Sequence, residues 1–280
     1  MPVVTLTSDY GMVDPRVATI KGGLLSLDEN VKIVDITHEI APYDLQQAAY
    51  IIRSAYSHFP GGSVHLLCVD NMYREEVKSL VYKVNGHYFL CADNGLMSLI
   101  FFDIQPEYIF AIPLQNKQEG SVLLYPVLDT YVPAALHLLE GGLPEQIGKE
   151  FSAPVEIKLP TPAYHESEKM ISGEVIYIDH FGNLVTNISR ELFQDKILSL
   201  HGFTIKFRNI SLSKIYSRYT DFIAHWADER SAHGRVIAIF NESQLLEICI
   251  YKGNIHNGAH SLFGLDVGAK VYVEFYEQGH

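Results

Sequence analysis

The sequence predicts an α/β domain over residues 1–160 with a mostly parallel central sheet, followed by a smaller all-β, barrel-like domain over 170–280. Three observations predict this. The stretch 33–70 reads strand, loop, helix, tight turn, strand, the unit from which parallel sheets are built. Residues 154–169 hold three prolines among mixed charges, the composition of a linker. Beyond that segment the apolar runs become short and are separated by turn residues, an all-β signature.

The elements follow in chain order. Residues 3–6 are a short apolar strand, and Ser8-Asp9-Tyr10-Gly11 is the turn after it. Asp14-Pro15 reads as N-cap and first helical residue. That helix carries Val17, Ile20, Leu24 and Leu25 inward at spacings of three and four, and Asp28-Glu29-Asn30 breaks it. Ile33, Val34 and Ile36 open the central unit. Tyr43-Asp44 caps its helix, which buries Ala48, Ala49, Ile51, Ile52 and Ala55 and stops at Pro60-Gly61-Gly62. An apolar run over 64–69 then leads to Asp70, at the carboxyl end of the second strand. Residues 71–78 are polar loop. Strands at 80–84 and 87–91 flank Asn85-Gly86, a two-residue hairpin signal. Ala92-Asp93-Asn94-Gly95 is a further strand-end loop. A short helix at 96–101, a strand at 108–112 and a helix at 131–139 complete the domain. In the second domain, strands are expected at 173–178, 203–208, 236–240, 245–251 and 270–276.

Composition narrows the functional classes. A net charge of −12, from 21 basic and 33 acidic residues, disfavours nucleic acid and anionic membrane as partners. No run approaches the 18 or so apolar residues of a membrane span, and the N-terminus has no basic, cleavable leader pattern. Cys68, Cys91 and Cys249 are too scattered for a disulfide framework and read as reduced and buried, which fits a cytoplasmic protein. The sequence holds no G-x-S-x-G, G-x-G-x-x-G, Walker loop or C-x-x-C, and no histidine pair at zinc-ligand spacing with a third ligand. No metal and no cofactor are expected.

What remains is a set of polar residues at the ends of expected strands: Asp9, Asp35 with His38, Asp70, and Asp93 with Asn94. Each alone is accounted for as a turn former. On successive strands of one parallel sheet, however, they converge on the edge where ligands gather. Asp35 and His38 read as a pair bracing their loop. In the second domain, Asp179-His180-Phe181-Gly182-Asn183-Leu184-Val185-Thr186-Asn187 packs an acid, an aromatic, a glycine and two amides into nine residues. It reads either as a polar loop or as a pocket that stacks a flat base on Phe181 and bonds its edge through Asp179 or Asn183.

Taken in order, Ser8-Asp9-Tyr10-Gly11 with Asp14, Val34-Asp35-Ile36-Thr37-His38, Phe59-Pro60-Gly61-Gly62-Ser63-Val64-His65, Val69-Asp70, Asp93-Asn94-Gly95 and Phe181-Gly182-Asn183-Leu184-Val185-Thr186-Asn187 resemble the SAM hydroxide adenosyltransferase family, the SAM hydrolases, relatives of the fluorinase and chlorinase. The resemblance covers nearly the whole chain. It implies displacement at the ribose C5′ of S-adenosylmethionine by water or hydroxide, giving adenosine and methionine. It also implies a homotrimer with the ligand between the N-terminal domain of one subunit and the C-terminal domain of its neighbour. Asp9 then matches the acid that binds the ribose hydroxyls, Tyr43 an aromatic packed on the ligand, and Asp179, Phe181 and Asn183 the pocket of the β domain. Asn71, Asp93, Asn94 and Asn241 join them as expected ligand contacts.

The chain departs from the family at the reacting water. The family places an Asp, an Arg and a His there. Asp70 matches the Asp, whereas the Arg position falls on Val77 and the His position on Pro126. Asn71-Met72-Tyr73-Arg74-Glu75-Glu76 replaces a glycine-rich loop, and Asn241-Glu242-Ser243-Gln244 replaces Asn-Ser-x-Gly. Arg74, four residues beyond Asp70, is the candidate stand-in for the Arg, so Asp70 and Arg74 are the catalytic expectation. Three readings follow: a hydrolase with an altered water site, a non-catalytic binder of S-adenosylmethionine or a nucleoside, or an enzyme for another nucleoside.

Overall fold

The computed structural model describes residues 1–114 and 127–277, in two units, Met1–Leu159 and Pro160–His280. The first holds a seven-stranded sheet in the order β2-β1-β3-β5-β4-β6-β7. β1 (Val4–Ser8), β2 (Ile33–Thr37), β3 (Val64–Cys68) and β5 (His87–Ala92) run parallel. β4 (Ser79–Val84) pairs antiparallel with β5 and with β6 (Tyr108–Ile112), so β6 points the same way as the parallel set. The two-residue β7 (Lys149–Glu150) closes the edge.

β1 and β3 lie inside the sheet and are buried throughout, as runs covered on both faces must be. Period-two alternation sends Val64, Leu66 and Cys68 to one face and Leu67 and Val69 to the other. Against the first face pack α1 (Pro15–Leu27) and α4 (Val132–Leu139), through Ile20, Leu24, Val132 and Ala135. Against the second pack α2 (Leu45–Ala55) and α3 (Leu96–Ile100), through Ala48, Ile52, Leu96 and Ile100. Burying each such Leu or Ile is worth roughly 1.5–3 kcal/mol.

Asp14 caps α1 by accepting from the Arg16 N–H, and Asp44 caps α2 by accepting from the Gln47 N–H. The expected inward faces need correcting: Leu25 is exposed, and Ile51 and Ala55 are half-buried. A helix presents a single stripe inward, and Leu24 already occupies it. Asn85 and Gly86 both take positive φ (52° and 75°), as a type I′ hairpin requires.

The second unit begins where a linker was expected. β8 (Ala163–His165) pairs with β9 (Met170–Ile178). β10 (Leu184–Ser189), β11 (His201–Phe207), β12 (Ile210–Leu212), β13 (Ile215–Tyr216), β14 (Val236–Phe240), β15 (Leu245–Ile250) and β16 (Lys270–Glu277) complete a nine-stranded sheet. It curls into a nearly closed barrel around Ile171, Val175, Leu184, Ile248 and Val273. Two expectations change here. Leu184 to Asn187 are strand, not loop. An eleven-residue helix, α5 (Arg190–Leu200), also sits in the all-β region and starts at Ser189, whose hydroxyl accepts the Leu192 N–H. α6 (Ala259–Phe263) is a short helix after β15.

Candidate functional site

The carboxyl ends of β1, β3 and β5 carry the polar residues singled out above, and backbone geometry ties several of them together. Asp9 Oδ2 accepts from the Tyr43 N–H at 2.9 Å and from the Asp70 N–H at 3.2 Å. One carboxylate oxygen thus holds the loop after β2 and the loop after β3. Tyr43 and Asp70 both adopt left-handed backbone (φ 66° and 42°). For non-glycine residues this costs on the order of 1–3 kcal/mol and tends to persist where a site over-determines it. Asp70 Oδ1 pairs with Arg74 Nη2 at 2.9 Å, so the expected reach across four residues is made. Tyr43 is 59% exposed.

Asn71 is buried, and its Oδ1 accepts from the Tyr10 hydroxyl at 2.8 Å. Its Nδ2 has no partner among the described residues. Burial pushes the Tyr10 phenol up, so it stays protonated and donates. Tyr10 was not among the expected site residues; its place beside Asp9 was the available signal. Burial also pushes the Cys68 thiol up to about 12, which removes it as a nucleophile.

Other residues expected as ligand contacts bond to the loops around them. The Asn94 amide donates to the carbonyls of Val69 (2.9 Å) and Asp70 (3.2 Å) and accepts from the Leu96 N–H, so it pins the Asp70 loop to β5. Asp93 accepts from the Val155 N–H at 2.8 Å. Asp35 and His38 form the expected brace: His38 Nδ1 lies 2.7 Å from Ser8 Oγ, and Nε2 lies 3.1 Å from Asp35 Oδ1. Burial pushes Asp35 up, but hydrogen bonds from Lys21 and His38 outweigh it and hold the carboxyl below its usual range. The Val77 N–H donates to the Arg74 carbonyl at 3.1 Å. Pro126 lies outside the described residues.

In the second unit, the β9–β10 turn is built on Asp179. Its Oδ1 accepts the N–H groups of Phe181 (2.9 Å) and Asn183 (2.8 Å), and its Oδ2 accepts from Asn183 Nδ2 (2.9 Å). Asp179 is therefore engaged within the loop. It fixes the Asn183 amide so that Oδ1 is the atom left over, buried and without a partner among the described residues. Phe181 is 58% exposed, with the His180 ring edge-on to it at 6.0 Å. Gly182 (φ 73°) and Gly258 lie so close that a side chain at position 258 would strike the Phe181 carbonyl, which holds this turn against the loop before α6. Asn241 accepts from the N–H groups of Ser243 and Leu245 and donates to Glu247 Oε2 at 3.0 Å. Burial raises the Glu247 carboxyl above its ordinary range. A lone acid in the apolar strand Leu245–Ile250 was the signal for this pair, which sequence reasoning missed.

Among the described residues, no group of three or more His, Cys, Asp and Glu could hold a metal, and no helix is long and apolar enough to cross a membrane.

Comparison with known proteins adds to this geometry. The profile of the SAM hydroxide adenosyltransferase N-terminal domain matches residues 4–148, and that of the C-terminal domain matches 173–272. An (R)-S-adenosyl-L-methionine hydrolase of Methanocaldococcus jannaschii is 28% identical over 91% of this chain and 90% of its own. One from Thermus thermophilus is 27% identical over 97% and 99%. A fluorinase of an Actinoplanes species is 27% identical over 68% and 72%. Among solved structures, an uncharacterized conserved protein from Thermotoga maritima superposes with a TM-score of 0.82 at 22% identity, covering 97% of this chain and 99% of that one.

Proposed function

The chain belongs to the SAM hydroxide adenosyltransferase family, and from that premise we propose that it hydrolyses S-adenosylmethionine to adenosine and L-methionine, with Asp70 and Arg74 organising the attacking water. The observation that carries this reading is the cluster at the carboxyl edge of β1 and β3: Asp9 binding both flanking loops, and Asp70 held by Arg74.

The chemistry asks little of the protein beyond position. The water oxygen bonds to C5′ while the C5′–S bond breaks. Its electron pair neutralises the sulfonium as methionine leaves, and the water gives up a proton. A sulfonium is already a good leaving group, so in-line placement and exclusion of bulk solvent dominate. Asp70 Oδ1 is occupied by Arg74, which leaves Oδ2 to accept from the water. Carboxylates at this edge favour a cationic ligand. Asp9 Oδ1 is assigned to the ribose, Tyr43 to packing against the ligand, and Asn71 Nδ2 to a ligand acceptor. On the second unit, Phe181 and Asn183 Oδ1 are assigned to the base, as stacking face and acceptor for its amino group. A homotrimer that brings the two units of neighbouring subunits to one ligand is part of the proposal.

Val77 at the family's Arg position favours a second reading, a non-catalytic binder of the same ligand. Chromatographic measurement of adenosine released by purified protein separates the two. Release above the uncatalysed background that Asp70→Asn abolishes supports the hydrolase. No release, with adenosine still bound in calorimetry, supports the binder.

A further inference from the structure

We propose that the second unit carries a separate binding site for a single-ring aromatic acid, in the cleft between α5 and the β13–β14 strand pair. The residues around it play no part in the proposed hydrolysis. A cavity of about 310 Å³ opens there. That lies at the lower end of the range of ligand pockets, the size for one ring system.

The walls are aromatic. Phe193 of α5 packs on Phe203 and Phe240 with ring centroids 5.0 Å and 5.5 Å away, and all three line the cavity. Such a lining selects a flat, apolar body. The polar groups are cationic: Arg190, the first residue of α5, and Lys214, next to β13. Among the described residues no acid lines the cavity, in a chain whose acids outnumber its bases by 33 to 21.

Arg190 supplies a cation beside the aromatic wall. Its guanidinium lies over the Phe240 ring at 4.9 Å, and its Nε is buried with no hydrogen-bond partner among the described residues. That Nε is closed off from solvent, so the remainder of the guanidinium is the cation that a carboxylate entering the cavity would pair with. Lys214 lies over the Tyr216 ring at 4.6 Å and is exposed, a second cation at the cavity wall on a mobile stem. A ring laid against the phenylalanines, with its carboxylate towards Arg190 and Lys214, uses both the apolar wall and the cations.

The test titrates the intact protein with benzoate by ligand-observed NMR, with benzamide as the neutral isostere and inorganic phosphate as the anion without a ring. Saturable benzoate binding is expected, with benzamide and phosphate each weaker by about tenfold or more, the worth of a charge-assisted hydrogen bond or of one buried ring. Arg190→Gln and Lys214→Gln should each weaken benzoate, and saturating adenosine should leave it unchanged. Lys214 is exposed, so its variant reads the site even where Arg190→Gln lowers the melting temperature. Absence of saturable benzoate binding, equal binding of benzamide or phosphate, or an unchanged affinity in Lys214→Gln overturns the proposal. Displacement by adenosine overturns it as a separate site. None of these results depends on whether the protein releases adenosine.

Discussion

Asp70 sits at a strand end with left-handed backbone, one carboxylate oxygen on Arg74 and its own N–H on Asp9. If the other carboxylate oxygen, Oδ2, organises the water, Asp70→Asn should lower adenosine formation by about 10²- to 10⁴-fold, the usual worth of a general base. Arg74→Gln should cost on the order of 10²-fold through misplacement of Asp70. Calorimetric affinity for adenosine should change little in either variant, because neither residue is assigned to the nucleoside. Sequence order made Asp9, Asp70 and Arg74 readable, since strand ends of a parallel sheet share one edge. It did not reveal that Asp93, Asn94, Asp179 and Asn241 hydrogen-bond to backbone groups and, for Asp179 and Asn241, to the side chains of Asn183 and Glu247. Asp and Asn serve turns and ligands with the same atoms, and only the partner positions tell the two uses apart.

At the scale of elements, α2 starts at Asp44, whose side chain accepts from the Gln47 N–H at 2.9 Å. Asp44→Ala should cost about 1 kcal/mol, read as a lower urea midpoint with an unchanged slope. The strands β1, β3 and β5 also carry a buried chain of polar side chains: Thr5 Oγ1 lies 2.7 Å from His65 Nδ1, and His65 Nε2 lies 3.1 Å from His87 Nδ1. Burial, with the neighbouring His87 ring adding to it, pushes His65 down to about 3, and burial lowers His87 as well. Both folded values lie below the ordinary histidine value of about 6.5, so the unfolded chain binds protons first as the pH falls. Their contribution to stability is complete above pH ~6.5 and declines toward pH 3. Urea unfolding at pH 7 and pH 5 should show a loss of up to ~1.4 kcal/mol per pH unit per histidine. The slope should be shallower in His65→Leu. The helices and hairpin of the first unit were legible because caps, Asn-Gly and apolar spacing act locally. α5 was not: its stretch Arg190–Leu200 has a weak apolar stripe, and the expectation of strands on both sides masked it. The strand Leu184–Ser189 was hidden by the polar turn that opens it.

At the scale of the whole molecule, each unit has its own apolar core, two clusters flanking the first sheet and one inside the second. That division was visible as a change of texture, whereas β8 inside the proline-rich stretch was not, because three residues are too few to show a period. If the proposed trimer forms, light scattering on the eluting peak should give three times the chain mass of 31.6 kDa. Saturating adenosine at about 100 times its Kd should add ~2.7 kcal/mol to the stability of that assembly. The Asp9 carboxylate bears on which nucleosides such a molecule can hold. Oδ2 already accepts two backbone N–H groups, one per lone pair, and is full. Oδ1 has two lone pairs left, enough for the two hydroxyls of one vicinal diol. If Oδ1 takes the ribose as proposed, sugar selectivity becomes a matter of counting acceptors: a 2′- or 3′-deoxy nucleoside would leave one lone pair idle, and a sugar with both hydroxyls would use every acceptor the carboxylate has.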